Sequence, residues 1–500
     1  MTTQQPQVSQ TKSFMTVSLI ELWERFGYYG MQALIVYFMI ERLGFEDSRA
    51  NLVWGACAAL IYVSPAIGGW IGDKVLGTKR TMLLGSMVLA LGYALMTIPS
   101  ENTWVLFSAL GVVVVGNGLF KPNAGNLVRK IYEGDDSKID SAFTIYYMAV
   151  NVGSTFSMLL TPWIKDYVNQ QYGNHFGWHA AFAVCCVGLL VGMANFFVMR
   201  KALSKYGSEP DHKPVDVQKL IFVLLGSIVA VGISALILEY QTLARIFVYV
   251  AGFVVLGIFI HLIRSSEKHE RAGLIAALVL IIQTVFFFIF YQQMSTSLAL
   301  FALRNVDLNF NVFGMHLMTW SPGQFQALNP IWIMLLSPIL ALIYTKAGKN
   351  NKDLSIAGKF ALGFAVVAVG FFIYGFAGNF AVNGKTTSWV MIAGYAAYSL
   401  GELLVSGLGL AMIARYAPER MGGFMMGAYY VACGISQYLG GVVANFASIP
   451  QGMTDPLQTL PIYTSLFNKL GLAAVLCTFI ALAVLPLMRR LDRQHQSIKK

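Results

Sequence analysis

The chain has 500 residues, 56% of them hydrophobic and only 12% charged, with a mean hydropathy of +0.61. A soluble domain carries about twice that charged fraction, so an ordinary water-soluble protein is excluded. The net charge of +11 does not point to a nucleic-acid partner. The basic residues gather in short loops on alternate sides of apolar runs, as expected of loops kept on the cytoplasmic side of a membrane.

The apolar runs reach the roughly 20 residues needed to cross a bilayer, and backbone in such runs must satisfy its own hydrogen bonds as helix. In chain order the expected spans are Phe14–Ile40, Leu52–Ile71, Thr81–Ile98, Trp104–Val128, Ala142–Ile164, Ala180–Met199, Leu220–Leu238, Arg245–Ile263, Leu274–Leu303, Phe325–Tyr344, Phe360–Ala377, Ser388–Ala414, Gly423–Phe446 and Tyr463–Met488. The polar first dozen residues lead into a span without a small-residue cleavage site, so no signal peptide is expected. Basic loops such as Lys74, Lys79, Arg80 and Lys346, Lys349, Lys352, Lys359 put both termini in the cytoplasm. Cys57, Cys185, Cys186, Cys433 and Cys477 all fall in apolar runs and read as small core residues rather than a disulfide framework.

Six spans precede the polar stretch Lys201–Lys219, which holds Gly207, Pro210 and Pro214 and reads as a cytoplasmic linker. Two spans with no internal acid or base follow, read as a structural insertion, and six more follow Arg271. This plan predicts an all-α integral membrane protein of about fourteen transmembrane helices. Its parts are a bundle over 1–200, linker and inserted pair over 201–270, and a second bundle over 271–500. Two six-helix halves facing a midplane cavity are the major facilitator layout. The stretch Gly69–Arg80, with Gly72, Asp73, Lys74, Gly77, Lys79 and Arg80, resembles the loop motif of that fold. Its glycines let helix ends approach, and Asp73 is suited to cap a helix or pair across the half.

Ionisable groups deep in a span mark function. Glu21, Glu24 and Arg25 lie in the first span, Lys121 in the fourth and Glu402 in the twelfth. Unpaired in hydrocarbon they would cost on the order of 10 kcal/mol together, so they are expected to meet in a polar cavity. Glu21 and Arg25 stand at i, i+4, as do Arg25 and Tyr29, and Glu24 and Tyr28. An ion pair between Glu21 and Arg25 would leave Glu24 in need of another cation. Lys121 lies about two turns from the basic end of its span, and Pro122 beside it interrupts the backbone ladder. Glu402 has apolar neighbours and Ser406 one turn further on. Tyr147 and Asn151 share a face, Tyr62 precedes Pro65, and Asn329-Pro330 opens the tenth span. The aromatic run Phe286–Tyr291 and Tyr429 read as packing that also suits apolar side-chain pockets.

Glu402 offers a counter-charge for an ammonium group, and Arg25 with Lys121 one for a carboxylate. The set therefore suits a zwitterionic solute, without saying which. Three acids and two bases leave a nominal −1, which one proton neutralises and a zwitterion leaves neutral. A charged cavity is costly to occlude, which gives a physical reason for obligatory proton coupling.

Three motifs carry a resemblance: Glu21-x-x-Glu24-Arg25-Phe-x-Tyr28-Tyr29-Gly30, the Gly116–Asn123 stretch, and Tyr147-x-x-x-Asn151-x-Gly153-Ser154. Together they resemble the signatures of the proton-dependent oligopeptide transporter family, in the family's order. The resemblance runs over essentially the whole chain, inserted pair included, and is closest to bacterial di- and tripeptide transporters, those of Shewanella in particular. It implies that Arg25 and Lys121 hold a peptide carboxylate. Glu402, with Asn151 and Asn329, would hold the amino terminus, and Tyr29, Tyr62, Tyr147 and Ser406 would line the site. Glu21, Glu24 and Glu402 are the implied proton-coupling groups. It further implies di- and tripeptides, protons and the lipid bilayer as partners, no cofactor beyond the proton gradient, and a multi-pass place in the cell inner membrane. Two departures stand out: Gln292 occupies the place of an acid in many relatives, and no histidine precedes His175 where animal members carry one.

No Ser-His-Asp set, metal-ligand cluster or nucleotide loop argues for an enzyme. His175 and His179, at a span edge, lack a carboxylate pair for a metal. A channel or receptor on this plan, and a carrier of nitrate or an amino-acid derivative, stay open at this level.

Overall fold

The computed structural model describes residues 9–173, 175–349, 354–418 and 421–496. Lys352 and both chain ends, assigned to the cytoplasm above, lie outside the described residues. Ten helices among them are long and apolar enough to cross a membrane. Helix also forms at the four other expected spans, in Gln10–Tyr37, Thr78–Met96, Trp389–Val405 and Gly422–Ala444. The helices divide into two units. One comprises the described residues through Phe38 with Leu60–Tyr240, and the other Met39–Ala59 with the described residues from Gln241 onward.

In the first unit, α1 (Gln10–Tyr37) packs against α6 (Asp136–Tyr172) and α7 (Phe176–Met199). The approach of α1 to α6 depends on Gly153, where a Cβ would lie 2.4 Å from the carbonyl oxygen of Leu22. That motif glycine therefore serves helix contact rather than ligand binding. The second expected span is not one helix. Helix α2 (Asp47–Val63) stops at Ser64, α3 (Pro65–Trp70) restarts with proline at its first position, and a π turn covers Ile71–Val75. Proline is well suited to a helix start and poorly suited to its interior. Then α4 (Thr78–Met96) lies along α5 (Thr103–Ile131), which runs without interruption through Pro122. Asn123, completely buried, donates from Nδ2 to the Gly68 carbonyl at 2.9 Å and secures the broken segment.

The linker is docked rather than loose. Asp211 accepts from the backbone N–H groups of Lys79 and Arg80 at 3.1 and 3.4 Å, and Ser208 Oγ accepts from that of Thr78 at 3.0 Å. These groups cap α4 from a distant part of the chain. The close fit requires Gly77, at φ +106°, since a Cβ there would lie 2.4 Å from Asp211 Oδ1. Asp73, expected to cap a helix or pair across the half, accepts from Asn126 Nδ2 of α5 at 2.8 Å. Asp216 then caps α8 (Val217–Glu239), the first inserted helix, which packs along α5.

In the second unit, α9 (Gln241–Ser265) packs on α16 (Gly422–Ala444), and α10 (Lys268–Gln292) on α16 and α17 (Pro456–Gln496). The ninth expected span is interrupted by a 3₁₀ turn over Gln293–Ser295 before α11 (Ser297–Asn305). Polar side chains there compete with the backbone ladder. Thr296 Oγ1 donates to the Gln292 carbonyl at 2.8 Å, and Ser297 Oγ donates to Gln293 Oε1 at 2.6 Å. The twelfth is also split: α14 (Trp389–Val405) ends at Ser406-Gly407 and α15 (Leu408–Tyr416) follows. Between α11 and α12 (Leu328–Lys349) lies a feature that an all-helical reading missed. It is an antiparallel hairpin of β1 (Asn309–Val312) and β2 (Met315–Thr319), turned at Phe313 and Gly314, both of positive φ. Helix α13 (Ile356–Gly375) packs against α14 and α17. Arg304 makes a bidentate pair with Asp47, both bonds 2.7 Å, and donates to the Tyr463 hydroxyl at 2.6 Å. The Phe286–Tyr291 run is chiefly packing: Phe287 and Phe290 meet Phe364 edge to face.

Candidate functional site

The first-unit cluster is built on α1. Glu21, Glu24 and Arg25 are all buried, Glu24 completely. The i, i+4 spacing placed Glu21 and Arg25 on one face, and a pair confined to those two would have left Glu24 without a cation. In the structure Arg25 serves both acids, Glu24 more closely. Arg25 Nη2 donates to Glu24 Oε1 at 2.7 Å and Arg25 Nε bonds Glu24 Oε2, while Nε lies 3.6 Å from Glu21 Oε1. The long arginine stem lets the guanidinium fold back on its chain neighbour, and its fork fits a carboxylate bidentately. Neighbouring residues on a helix do not otherwise face one another.

Two further groups complete the cluster. Asn117 Nδ2, from α5, donates to Glu24 Oε1 at 3.4 Å, and the Tyr146 hydroxyl bonds the Glu21 side chain. Sequence reasoning gave neither a role. Asn117 lies inside the Gly116–Asn123 signature, which was the available signal. Tyr146 adjoins Tyr147, and only the helix face distinguishes them; Tyr147 is half-exposed. The guanidinium carbon of Arg25 lies 4.9 Å from the ring centre of Tyr28 and 5.9 Å from that of Tyr29. Lys121 is half-buried on α5, with Nζ 5.5 Å from the Tyr62 ring centre, and is close enough to act electrostatically on Glu21. The three ring contacts are cation–π arrangements. Asn151 is buried, but its Nδ2 donates to the Tyr147 carbonyl of its own helix at 2.8 Å.

The second-unit cluster is simpler. Asn329, at the start of α12, donates from Nδ2 to Glu402 Oε2 on α14 at 2.6 Å and to Ser399 Oγ at 3.1 Å. Glu402 is buried, and no salt bridge to it is found among the described residues. The Ser406 N–H donates to the Glu402 carbonyl at 2.7 Å, so Ser406 closes the helix that carries the acid. Ser399, one turn before Glu402's successor Leu403, is the member that sequence reading missed. Gln292 is buried at the end of α10. Chemically, the first unit presents two cations beside two carboxylates, and the second a carboxylate held by an amide. No group of three or more potential metal ligands occurs among the described residues.

Comparison with known proteins bears on this arrangement. The model of the POT family matches residues 79–460, a stretch that begins after the first-helix signature. A crystal structure of tetrameric PepTSo2, from Shewanella oneidensis, is 76% identical with a TM-score of 0.90, covering 97% of this chain and 100% of that one. Dipeptide and tripeptide permease B of Aliivibrio fischeri is 40% identical over 98% of this chain and 97% of its own length. The permease of that name from Salmonella typhimurium is 40% identical over 97% and 96%. The fold is accordingly the all-α major facilitator fold of these transporters.

Proposed function

We propose, from the premise that this chain belongs to the POT family, that it carries di- and tripeptides into the cell by alternating access, in symport with protons. The family match covers most of the chain, and the observation that carries the reading is chemical. The buried Arg25 and half-buried Lys121 are gathered in one unit, and a buried carboxylate with only neutral hydrogen-bond partners among the described residues stands in the other. A peptide with free termini supplies both complementary charges. In this reading Arg25 and Lys121 engage the peptide carboxylate. Glu402, with Asn329 and Asn151, takes the ammonium group, and Tyr29, Tyr62, Tyr147 and Ser406 line the path. The domain plan 1–200, 201–270 and 271–500 and a cytoplasmic position of both termini in the inner membrane belong to the same proposal, as does carriage rather than catalysis.

The proton is assigned to the Glu21–Glu24 pair, with Glu402 as a further coupling group. Glu24 is tightly forked by Arg25, whereas Glu21 sits farther from that cation and bonds Tyr146. A peptide carboxylate that competes for Arg25 releases a glutamate, and an incoming proton neutralises it. Uptake of labelled di-alanine into proteoliposomes under an imposed proton gradient tests the function. Accumulation against the peptide gradient is expected, with competition by free dipeptides and little by N-acetylated or amidated ones. Equal competition by all three forms would remove the zwitterion argument. Glu21→Gln and Glu24→Gln should abolish proton-driven accumulation while Glu21→Gln keeps counterflow exchange. Accumulation by both variants would move the coupling site to Glu402.

A further inference from the structure

The inserted helix α8 carries no acid or base in its apolar length, and the transport reading gives it no task. It nevertheless forms one wall of two adjoining cavities in the first unit. At the linker end is a polar cleft of about 370 Å³, lined by Lys74, Arg80, Lys213 and Lys219 with Glu209 and Asp216. Four cations against two acids leave a net +2. Lys213 pairs with Glu209, and Lys219 lies 3.9 Å from Asp216, yet their side chains remain 64% and 52% exposed. Arg80 is occupied by the linker, donating to the Pro210 and Lys213 carbonyls at 2.9 and 2.6 Å.

An apolar groove of about 230 Å³ lies between α3, α5 and α8, lined by Ile67, Trp70, Leu119, Phe222, Gly226 and Ala230 among others. Successive stretches of the same elements line the two cavities. On α8, Lys219 of the cleft is followed within about one turn by Phe222 of the groove, and Gly226 and Ala230 continue the same stripe. On the opposite wall Lys74 follows Ile71 and Trp70. Ile67, Trp70 and Phe222 are 65%, 57% and 69% exposed, so the groove opens outward from the unit. A Cβ at Gly226 would meet nothing within 4 Å, so the open space reaches the helix backbone itself.

A positive, accessible cleft at the membrane surface that continues into an apolar groove has the chemistry of one kind of occupant. We infer that α8, α3 and α5 form a binding site for an anionic phospholipid of the leaflet on the linker side. The headgroup phosphate sits among Lys74, Lys213 and Lys219, and an acyl chain lies against Phe222 and Gly226. Basic pockets between transmembrane helices on the cytoplasmic side bind anionic headgroups, and each lysine near such a surface contributes about a fivefold gain in affinity. The apolar half commits the site to a lipid rather than to free phosphate. The inference concerns the membrane-embedded unit and is independent of which solute is carried.

The test is native mass spectrometry of the full chain released from detergent with phosphatidylglycerol or with phosphatidylcholine of the same acyl composition. The wild type should retain phosphatidylglycerol in preference. Lys74→Gln and Lys219→Gln should each weaken that retention about fivefold. Gly226→Leu, which fills the groove from an uncrowded position, should abolish it, whereas Gly232→Leu, equally uncrowded but outside the groove, should not. Inorganic phosphate should fail to displace the lipid. Equal retention of both lipids, or unchanged retention by Gly226→Leu, overturns the proposal. So does displacement by phosphate, which would mean an anion cleft alone. A change of oligomer mass in Gly226→Leu in place of lipid loss would mean that a second copy occupies the groove.

Discussion

Glu21 and Glu24 of the first unit and Glu402 of the second are buried to similar depth but held in opposite ways. In the first, Glu21 and Glu24 share a helix with Arg25, and with Lys121 the four charges sum to zero. In the second, Glu402 has amide and hydroxyl company and no ion-pair partner among the described residues. A balanced cluster is part of the fold, because removing one member strands another charge in a dry setting. A lone carboxylate held by neutral groups is not, because its neutral amide analogue keeps the same shape and hydrogen bonding. Burial alone therefore does not separate structural from ligand-binding charges; the partners do.

Five substitutions probe that contrast, from the largest expected effect downward. Arg25→Ala should abolish uptake and lower stability by about 3–5 kcal/mol, since two buried carboxylates lose their cation. Thermal unfolding in detergent, read beside proteoliposome uptake, checks both halves. Arg25→Lys should restore much of the stability but little of the transport, because a point charge does not reproduce the fork. Glu402→Gln should leave the unfolding temperature nearly unchanged while peptide affinity falls about 10- to 100-fold, the worth of a charge-assisted hydrogen bond. Calorimetric or fluorescence binding reads this directly, and a variant that melts as badly as Arg25→Ala would break the comparison. For Lys121→Ala, uptake should drop about tenfold with intact folding, as expected of a half-buried cation that contacts Tyr62 through its ring. The smallest effect belongs to a carboxylate outside both clusters. Asp211→Ala removes a cap on α4 and should cost about 1 kcal/mol while uptake persists. A loss of transport there without a loss of stability would give the linker a functional part.

Much of this was readable along the chain. Charge content and the length of apolar runs are local properties, and they identified a polytopic helical membrane protein together with the rare ionisable groups inside its spans. The breaks within spans were harder to read. Ser64-Pro65 and Ser406-Gly407 carry breaker residues, but proline also stands inside α5 at Pro122, where the helix continues. The same residue type interrupts or not according to whether neighbouring groups, such as Asn123 on the Gly68 carbonyl, satisfy what is left open.

Partner choice was beyond reach in one dimension. The i, i+4 rule put Glu21 and Arg25 on one face, yet the flexible arginine stem and the amide of Asn117 make Glu24 its closer companion. Residues 73 apart join Asn329 to Glu402, and residues 257 apart join Asp47 to Arg304. The sequence alone established which groups had to be buried and that burial obliges them to find partners, because both follow from composition and helical period. Only the packed chain determined which partners they found, because a hydrogen bond depends on distance and angle through space, to which separation along the chain gives no guide.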